Sequence, residues 1–267
     1  MKLLSTAASN VKTAKSQDNR PDYTIVTLSL SPDKSAPGLP TNCPNSTPSC
    51  VDACVGNVNV GMAAVFKAIM EARIRKTVFL REDRKAFLRQ LTGELEHERD
   101  RAYQNGTTLA VRLNCFSDLP WEMASFGGIP QRFPDVNFWD YAKTYSRIGN
   151  TPDNYNLTAS WTERQKDQEA CAELLHSGTA NVAIVFAEDN GKTGRHAYSQ
   201  RIPRTWEVAG RSFLCYDGDT QDMRFLDWSP RSAPNAKYGR ICGLRLKAGN
   251  NAMRERALAS GFAVKVD

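Results

Sequence analysis

Histidine is scarce: three in 267 residues, at His97, His176 and His196, each isolated from the others. That scarcity removes the paired-histidine metal sites, since no His-x₃₋₅-His exists to complete a zinc centre. Long apolar runs are missing too. The longest, Val182 to Ala187, is far short of the roughly 20 residues that a membrane helix needs, so no membrane partner is expected. The opening Met1-Lys2-Leu3-Leu4 runs straight into polar residues with no apolar stretch behind it, so no secretory signal is read. Neither charge sign dominates: 35 Lys and Arg against 29 Asp and Glu leave +6, a mild bias toward phosphate, nucleic acid or another anion that a solvated mixed surface explains equally well. No HExxH, GxSxG or GxGxxG occurs, and Gly191-Lys192-Thr193 lacks the first glycine of a phosphate loop.

What is present is ordinary globular composition, 41% hydrophobic and 24% charged, in a chain of one-domain size, so a packed core is expected. Residues 1–22 read as a polar N-terminal arm and 23–267 as a single α/β domain. Seven cysteines are an odd number in a chain with no secretory signature, which favours metal binding or reduced thiols over a disulfide framework. Three are clustered. Cys43, Cys50 and Cys54 lie in Cys-Pro-Asn-Ser-Thr-Pro-Ser-Cys-Val-Asp-Ala-Cys, whereas Cys115, Cys171, Cys215 and Cys242 stand alone. Pro44 and Pro48 stiffen the loop, and the Cys50 to Cys54 spacing is one helical turn. No second Cys pair completes a zinc site, whereas iron–sulfur clusters are held by thiolates, and a three-thiol loop leaves one iron for a distant ligand or a substrate. Inert thiols packed under a loop, or one disulfide with a spare cysteine, are the alternatives.

The rest of the chain alternates strand and helix. Strands are expected at 24–30, 109–113, 136–141, 155–159, 181–187, 211–216, 224–227 and 241–246. Helices are expected at 60–77, at 83–104 with Asp83 as N-cap and Asn105-Gly106 as stop, and at 162–176. Asp217-Gly218 reads as a hairpin turn, although the carboxylates of Asp217, Asp219 and Asp222 are close enough to suggest a hard cation. The basic stretch from Arg73 to Arg89 is a solvated helix face or a phosphate-contacting surface. Strands separated by helices imply a mainly parallel sheet, here a complete or partial parallel (β/α) barrel with an N-terminal cysteine loop, whose sites collect at the carboxyl ends of strands. Polar residues that follow strands therefore become candidates: Asn114, Ser117, Asp118, Lys143, Ser160 and Glu188.

The string CPNSTPSCVDAC, with ARIRKTVFL, AVRLNCFSDLPWE, FPDVNFWDYAK, NYNLTASW, NVAIVFA, DGDTQDMRFLD, ICGLRLKA and SGFAV in order after it, resembles a bacteriophage protein family related to the gene product 88 group, from about Leu28 to Val264. The resemblance implies a phage-encoded protein in the cytoplasm of the infected host cell. It maps the cysteine motif onto Cys43, Cys50 and Cys54, with further motif positions at Arg112, Asn114, Ser117, Asp118, Asp140, Lys143, Asp217, Asp219, Asp222, Arg224 and Asp227. A three-cysteine loop after a first strand is also similar to radical S-adenosylmethionine enzymes, though their Cys-x₃-Cys-x₂-Cys spacing is x₆ then x₃ here. The reading is an iron–sulfur protein in which Cys43, Cys50 and Cys54 bind a [4Fe-4S] cluster, with S-adenosylmethionine as the co-substrate implied by that similarity. Asp118, Lys143 and Asp217 are the expected catalytic side chains, and Arg112, Asn114 and Ser117 the expected cofactor contacts for a small anionic ligand. The rival expectation is a non-catalytic phage accessory protein that binds nucleic acid or a host protein, its metal only bracing the fold.

Overall fold

The computed structural model describes residues 1–9, 11–33, 35–56, 67–188, 201–227 and 237–266. The strands are β1 (Leu4–Thr6), β2 (Tyr23–Leu28), β3 (Thr108–Arg112), β4 (Asn137–Ala142), β5 (Tyr155–Ser160), β6 (Val182–Glu188), β7 (Thr205–Val208), β8 (Arg211–Asp217), β9 (Ile241–Arg245) and β10 (Ala263–Val266). The helices are α1 (Val11–Asn19), α2 (Pro48–Asp52), α3 (Lys67–Glu82), α4 (Arg84–Gln104), α5 (Ile129–Arg132), α6 (Gln165–Ser177) and α7 (Asn251–Ser260). Together the strands build one 10-stranded sheet in the order β1-β2-β3-β4-β5-β6-β9-β8-β7, with β10 beside β6.

From β2 to β8 every neighbouring pair is parallel. Five of these strands, β2 to β6, keep sequence order, and right-handed crossovers between such strands bring their helices to one face. Alternation shows it. Val26, Leu28, Leu109, Val111 and Phe138 pack with Phe87, Leu91 and Leu95 of α4, Leu80 of α3 and Leu175 of α6, whereas Ile25, Ala110 and Trp139 turn to the other face with Ala7 and Met223. Burial on both faces explains why β6 reads as a nearly unbroken apolar run. Helix α4 begins where the sequence places it: Asp83 caps it by accepting from the Ala86 amide at 2.9 Å, and Asn105 ends it.

The sheet does not close. Among the described residues its outermost strands, β1 and β7, are not paired with each other, so the expected complete barrel is corrected to an open sheet. The cause lies at both margins: β1 is antiparallel to β2 and β7 antiparallel to β8, and each ends the parallel run before it meets itself. A second break lies inside the sheet. On one edge of β6, β9 covers Val182 to Phe186; on the other, β5 reaches only Val182 and Ala183, and β10 takes over from Val185 to Glu188. Strands β5 and β10 therefore share that edge end to end.

The N-terminal arm is packed on the domain: Leu3 and Leu4 are buried, both their amides donate to Glu94, and the Lys76 ammonium donates to the Leu3 carbonyl at 2.6 Å. Two local expectations change. Asp217-Gly218 is no hairpin turn and 224–227 no strand: Arg224–Leu226 is a single 3₁₀ turn, and the real hairpin is β7–β8 through Ala209 and Gly210, both at positive φ. Gly218 serves packing instead, since a Cβ there would lie 2.3 Å from the Cys242 Sγ. Helix α3 starts at Lys67, and the earlier part of the expected 60–77 helix lies outside the described residues, as does Gly191-Lys192-Thr193.

Candidate functional site

The chain leaves β2 and enters the cysteine loop at its carboxyl end, as βα units dictate. Buried Asn42 anchors the entry. Its side-chain amide donates to the Ser31 carbonyl at 2.9 Å, its side-chain oxygen accepts from Arg81 at 2.7 Å, and its backbone carbonyl accepts from the Asp118 amide at 2.8 Å. The loop is thereby tied to the segment after β3. Helix α2 then carries Cys50 on a single turn: Thr47 caps it by accepting from the Cys50 amide at 3.1 Å, and Pro48 sits in the first turn, where its missing N–H costs nothing. Glu163, just beyond β5, accepts from the Thr47 hydroxyl at 2.8 Å, and Arg164 donates to the Asn45 carbonyl at 2.9 Å.

All seven cysteines are free thiols, so no disulfide forms. Cys43, Cys50 and Cys54 are half-buried and lie within electrostatic reach of one another and of the Lys143 ammonium, which projects from the end of β4. Burial pushes the Cys43 thiol up to about 12, and Cys54 rises for the same reason, with Cys50 adding to both rises and Lys143 opposing them. For Lys143 itself, desolvation works to strip the proton, but Cys50, Asp118 and Cys43 outweigh it and hold the group charged above its ordinary value. A second cation flanks the thiols. Arg73 of α3 donates to the Gly56 carbonyl at 2.7 Å and lies 4.0 Å from the Phe116 ring centroid; burial works against its charge, and coupling to Cys115 and Cys54 opposes that. No group of three His, Cys, Asp or Glu side chains among the described residues is drawn together closely enough to hold a metal as it stands.

Asp118 joins this site by bracing it. One of its oxygens accepts from the Lys143 backbone amide at 2.9 Å and the other from Arg147 at 2.7 Å, and Arg147 also forks onto Glu122 at 2.7 and 2.9 Å. Asn114 is spent on structure. Its side-chain oxygen accepts from Ser117, Leu119 and Trp121, and its amide donates to Asp140 and Leu119, which also places Ser117. Arg112 pairs with Asp222 at 2.8 Å, and its Nε lies 3.8 Å from an Asp140 oxygen. Burial pushes the Asp140 carboxyl up to about 7, against the pull of Arg112 and the Asn114 amide. Arg245 forks onto Asp217 at 2.7 and 2.8 Å; desolvation pushes the Asp217 carboxyl up, but that fork, the Asp219 amide and the Arg245 charge together outweigh it and hold the carboxyl below the ordinary range. With Asp219 paired to Arg245 and Lys247, and Asp222 to Arg112, the acidic run is occupied by the protein's own cations. Ser160 supplies a carbonyl to the Tyr145 hydroxyl, and Glu188 accepts from the Arg201 amide.

The structure thus brings Cys43, Cys50, Cys54, Lys143 and Asp118 within reach of one another, and pairs Arg112 with Asp222 and Asp217 with Arg245. Arg147 and Glu163, which shape the site, carry no local signal in the sequence, and Arg73 stands out there only as one member of the basic stretch from Arg73 to Arg89; the fold supplies their neighbours.

An open, mostly parallel α/β sheet with a three-thiol loop at the carboxyl end of its first parallel strand is the class that these features define. The chain belongs to the Gene product 88 family, a phage-type family whose model matches residues 2–264. No curated protein and no solved structure matches it. No helix among the described residues is long and apolar enough to cross a membrane.

Proposed function

We propose that this is an iron–sulfur protein of the infected cell in which Cys43, Cys50 and Cys54 hold three irons of a [4Fe-4S] cluster, leaving the fourth for a carboxylate-bearing co-substrate of the S-adenosylmethionine kind. The observation that carries the reading is the convergence of three thiols on a charged Lys143 at the carboxyl ends of β2 and β4. Thiolate-bound clusters are negative, and Lys143 and Arg73 supply the compensating charge. The donor set is of the kind such a cluster takes. It requires the loop to draw its sulfurs together, because they are not set as a closed ligand shell.

The order of elements supports the same reading. A cysteine loop follows the first parallel strand, and successive parallel strands in sequence order follow it, in the manner of a partial barrel. When bound, such a cluster supplies one-electron chemistry; the protein contributes placement and charge. Lys143 and Arg73 keep the neighbourhood of the sulfurs positive, while Asp118 and Arg147 fix the backbone from which Lys143 projects.

The test is cleavage of S-adenosylmethionine by anaerobically reconstituted, reduced protein. Turnover that is lost in Cys50→Ala is expected. No turnover, combined with salt-dependent retention on DNA or RNA, overturns the enzyme reading in favour of a nucleic-acid-binding accessory protein.

A further inference from the structure

Arginine side chains in this protein repeatedly use one edge. The Nε and Nη2 atoms form a planar fork, and it is this edge that Arg147 sets on Glu122, Arg256 on Asp52 and Arg20 on Asp22. Such pairing matches two oxygens of a carboxylate or phosphate to two parallel N–H groups. Arg73, Arg81, Arg101 and Arg112 each leave a buried Nε without a hydrogen-bond partner, and Arg254 of α7 goes further. It is 4% exposed, and both its Nε and its Nη2 are buried without a hydrogen-bond partner. Among the buried side chains of the described residues it alone leaves both atoms of the fork unfilled.

An arginine cannot escape by giving up its proton, because the guanidinium stays charged at any pH a protein experiences. A buried charge without counter-charge is among the costliest arrangements a fold can keep, and a buried donor without a partner calls for an explanation, a bound ion among them. The surroundings suit one. The face of α7 that carries Arg254 also carries Met253 and Ala257, which pack on Ala187, Leu246, Ala248 and Ala263, a layer made mostly of alanines. That layer reaches Ala53, between α2 and Cys54, and the Arg256–Asp52 pair ties α7 to the cysteine helix.

We infer that the Arg254 fork is a binding site for a two-oxygen anion, a carboxylate or a phosphate, beside the cysteine loop. The inference stands on Arg254 and its packing, and does not rest on the cluster reading.

Thermal unfolding of the reduced, metal-free full-length chain tests it, with acetate or inorganic phosphate titrated against chloride at constant ionic strength. The expected result is a saturable rise in melting temperature: with acetate alone if the ligand is a carboxylate, with phosphate alone if it is a phosphate, with both if the fork accepts either. Arg254→Met is expected to abolish that rise while melting, without anion, at or above the wild-type temperature, because the substitution removes an uncompensated charge. Arg254→Lys retains charge without the fork and is expected to weaken the anion by about tenfold or more, the worth of one charge-assisted hydrogen bond. Absence of a saturable rise with either anion overturns the inference. So does a rise that survives Arg254→Met, or an unliganded Arg254→Met that melts well below wild type. Should Arg254→Met fail to fold, unchanged affinity in Arg254→Lys overturns it, and the expected loss supports it.

Discussion

Asp140 illustrates how a single buried group sets a pH dependence. Its folded-state value of about 7 lies above the 3.8 of an unperturbed aspartate, so between those values the native state binds more protons than the unfolded chain. Its contribution to stability is therefore fully present below about pH 4 and declines as pH rises through 7. Asp140→Asn should flatten this part of the stability profile; a urea midpoint that falls equally steeply from pH 4 to 7 in the variant assigns the slope to other groups. Arg147 makes the opposite case. Buried with Asp118 and Glu122, it neutralises two carboxylates that have little access to water. Arg147→Ala should cost about 3–5 kcal/mol by urea unfolding, the penalty for leaving buried charge unpaired, and a loss below about 1 kcal/mol would show that the pair is effectively solvated. Gly218 is required for space: a Cβ would meet the Cys242 sulfur at 2.3 Å and Arg224 Nη1 at 3.1 Å. Gly218→Ala is expected to lose about 1–3 kcal/mol by overpacking, and Cys242→Ala in the same chain to restore part of it. Additive losses in the double variant would place the strain elsewhere.

The cysteine helix α2 has five residues, too few to persist alone, since isolated helices below roughly 12–15 residues are marginal in water. Its order comes from outside: the Thr47 cap, the Glu163 contacts and the Asp52–Arg256 pair. Glu163→Ala should speed amide exchange at Cys50 and Val51 by about tenfold while leaving the global unfolding midpoint nearly unchanged, as expected of local opening. Equal protection in the variant would mean that the loop is held by other contacts. Elements were legible in the sequence where local signals agreed. The apolar run of β6 and the Asp83 cap of α4 are such cases, because one residue type in one period decides each. They were not legible where a tertiary partner decides. Glu94 recruits the polar N-terminus into the sheet, and the buried pairing of Arg224 with Asp227 and Cys242 turns an expected strand into a 3₁₀ turn.

At the scale of the molecule, strand order and closure depend on which edges pair, and nothing local in the sequence announces the antiparallel margins that keep the sheet open. The cysteine trio was legible because its spacing is local, and Lys143 because it follows a strand. The ties of Arg73, Arg147 and Glu163 to the site were not, because the chain must fold before they exist. Placing the loop at the carboxyl end of the first parallel strand gives the thiols two flanking cations and a short, externally braced helix, an arrangement suited to holding a negatively charged centre. The inventory of iron and acid-labile sulfide in protein purified without oxygen tests that most directly, with the Cys43→Ala, Cys50→Ala, Cys54→Ala triple variant alongside. The account predicts about four irons and four sulfides per chain in the wild type, a brown colour, and none of these in the variant. Colourless wild-type protein without iron, or a variant that keeps the same iron and sulfide, contradicts it.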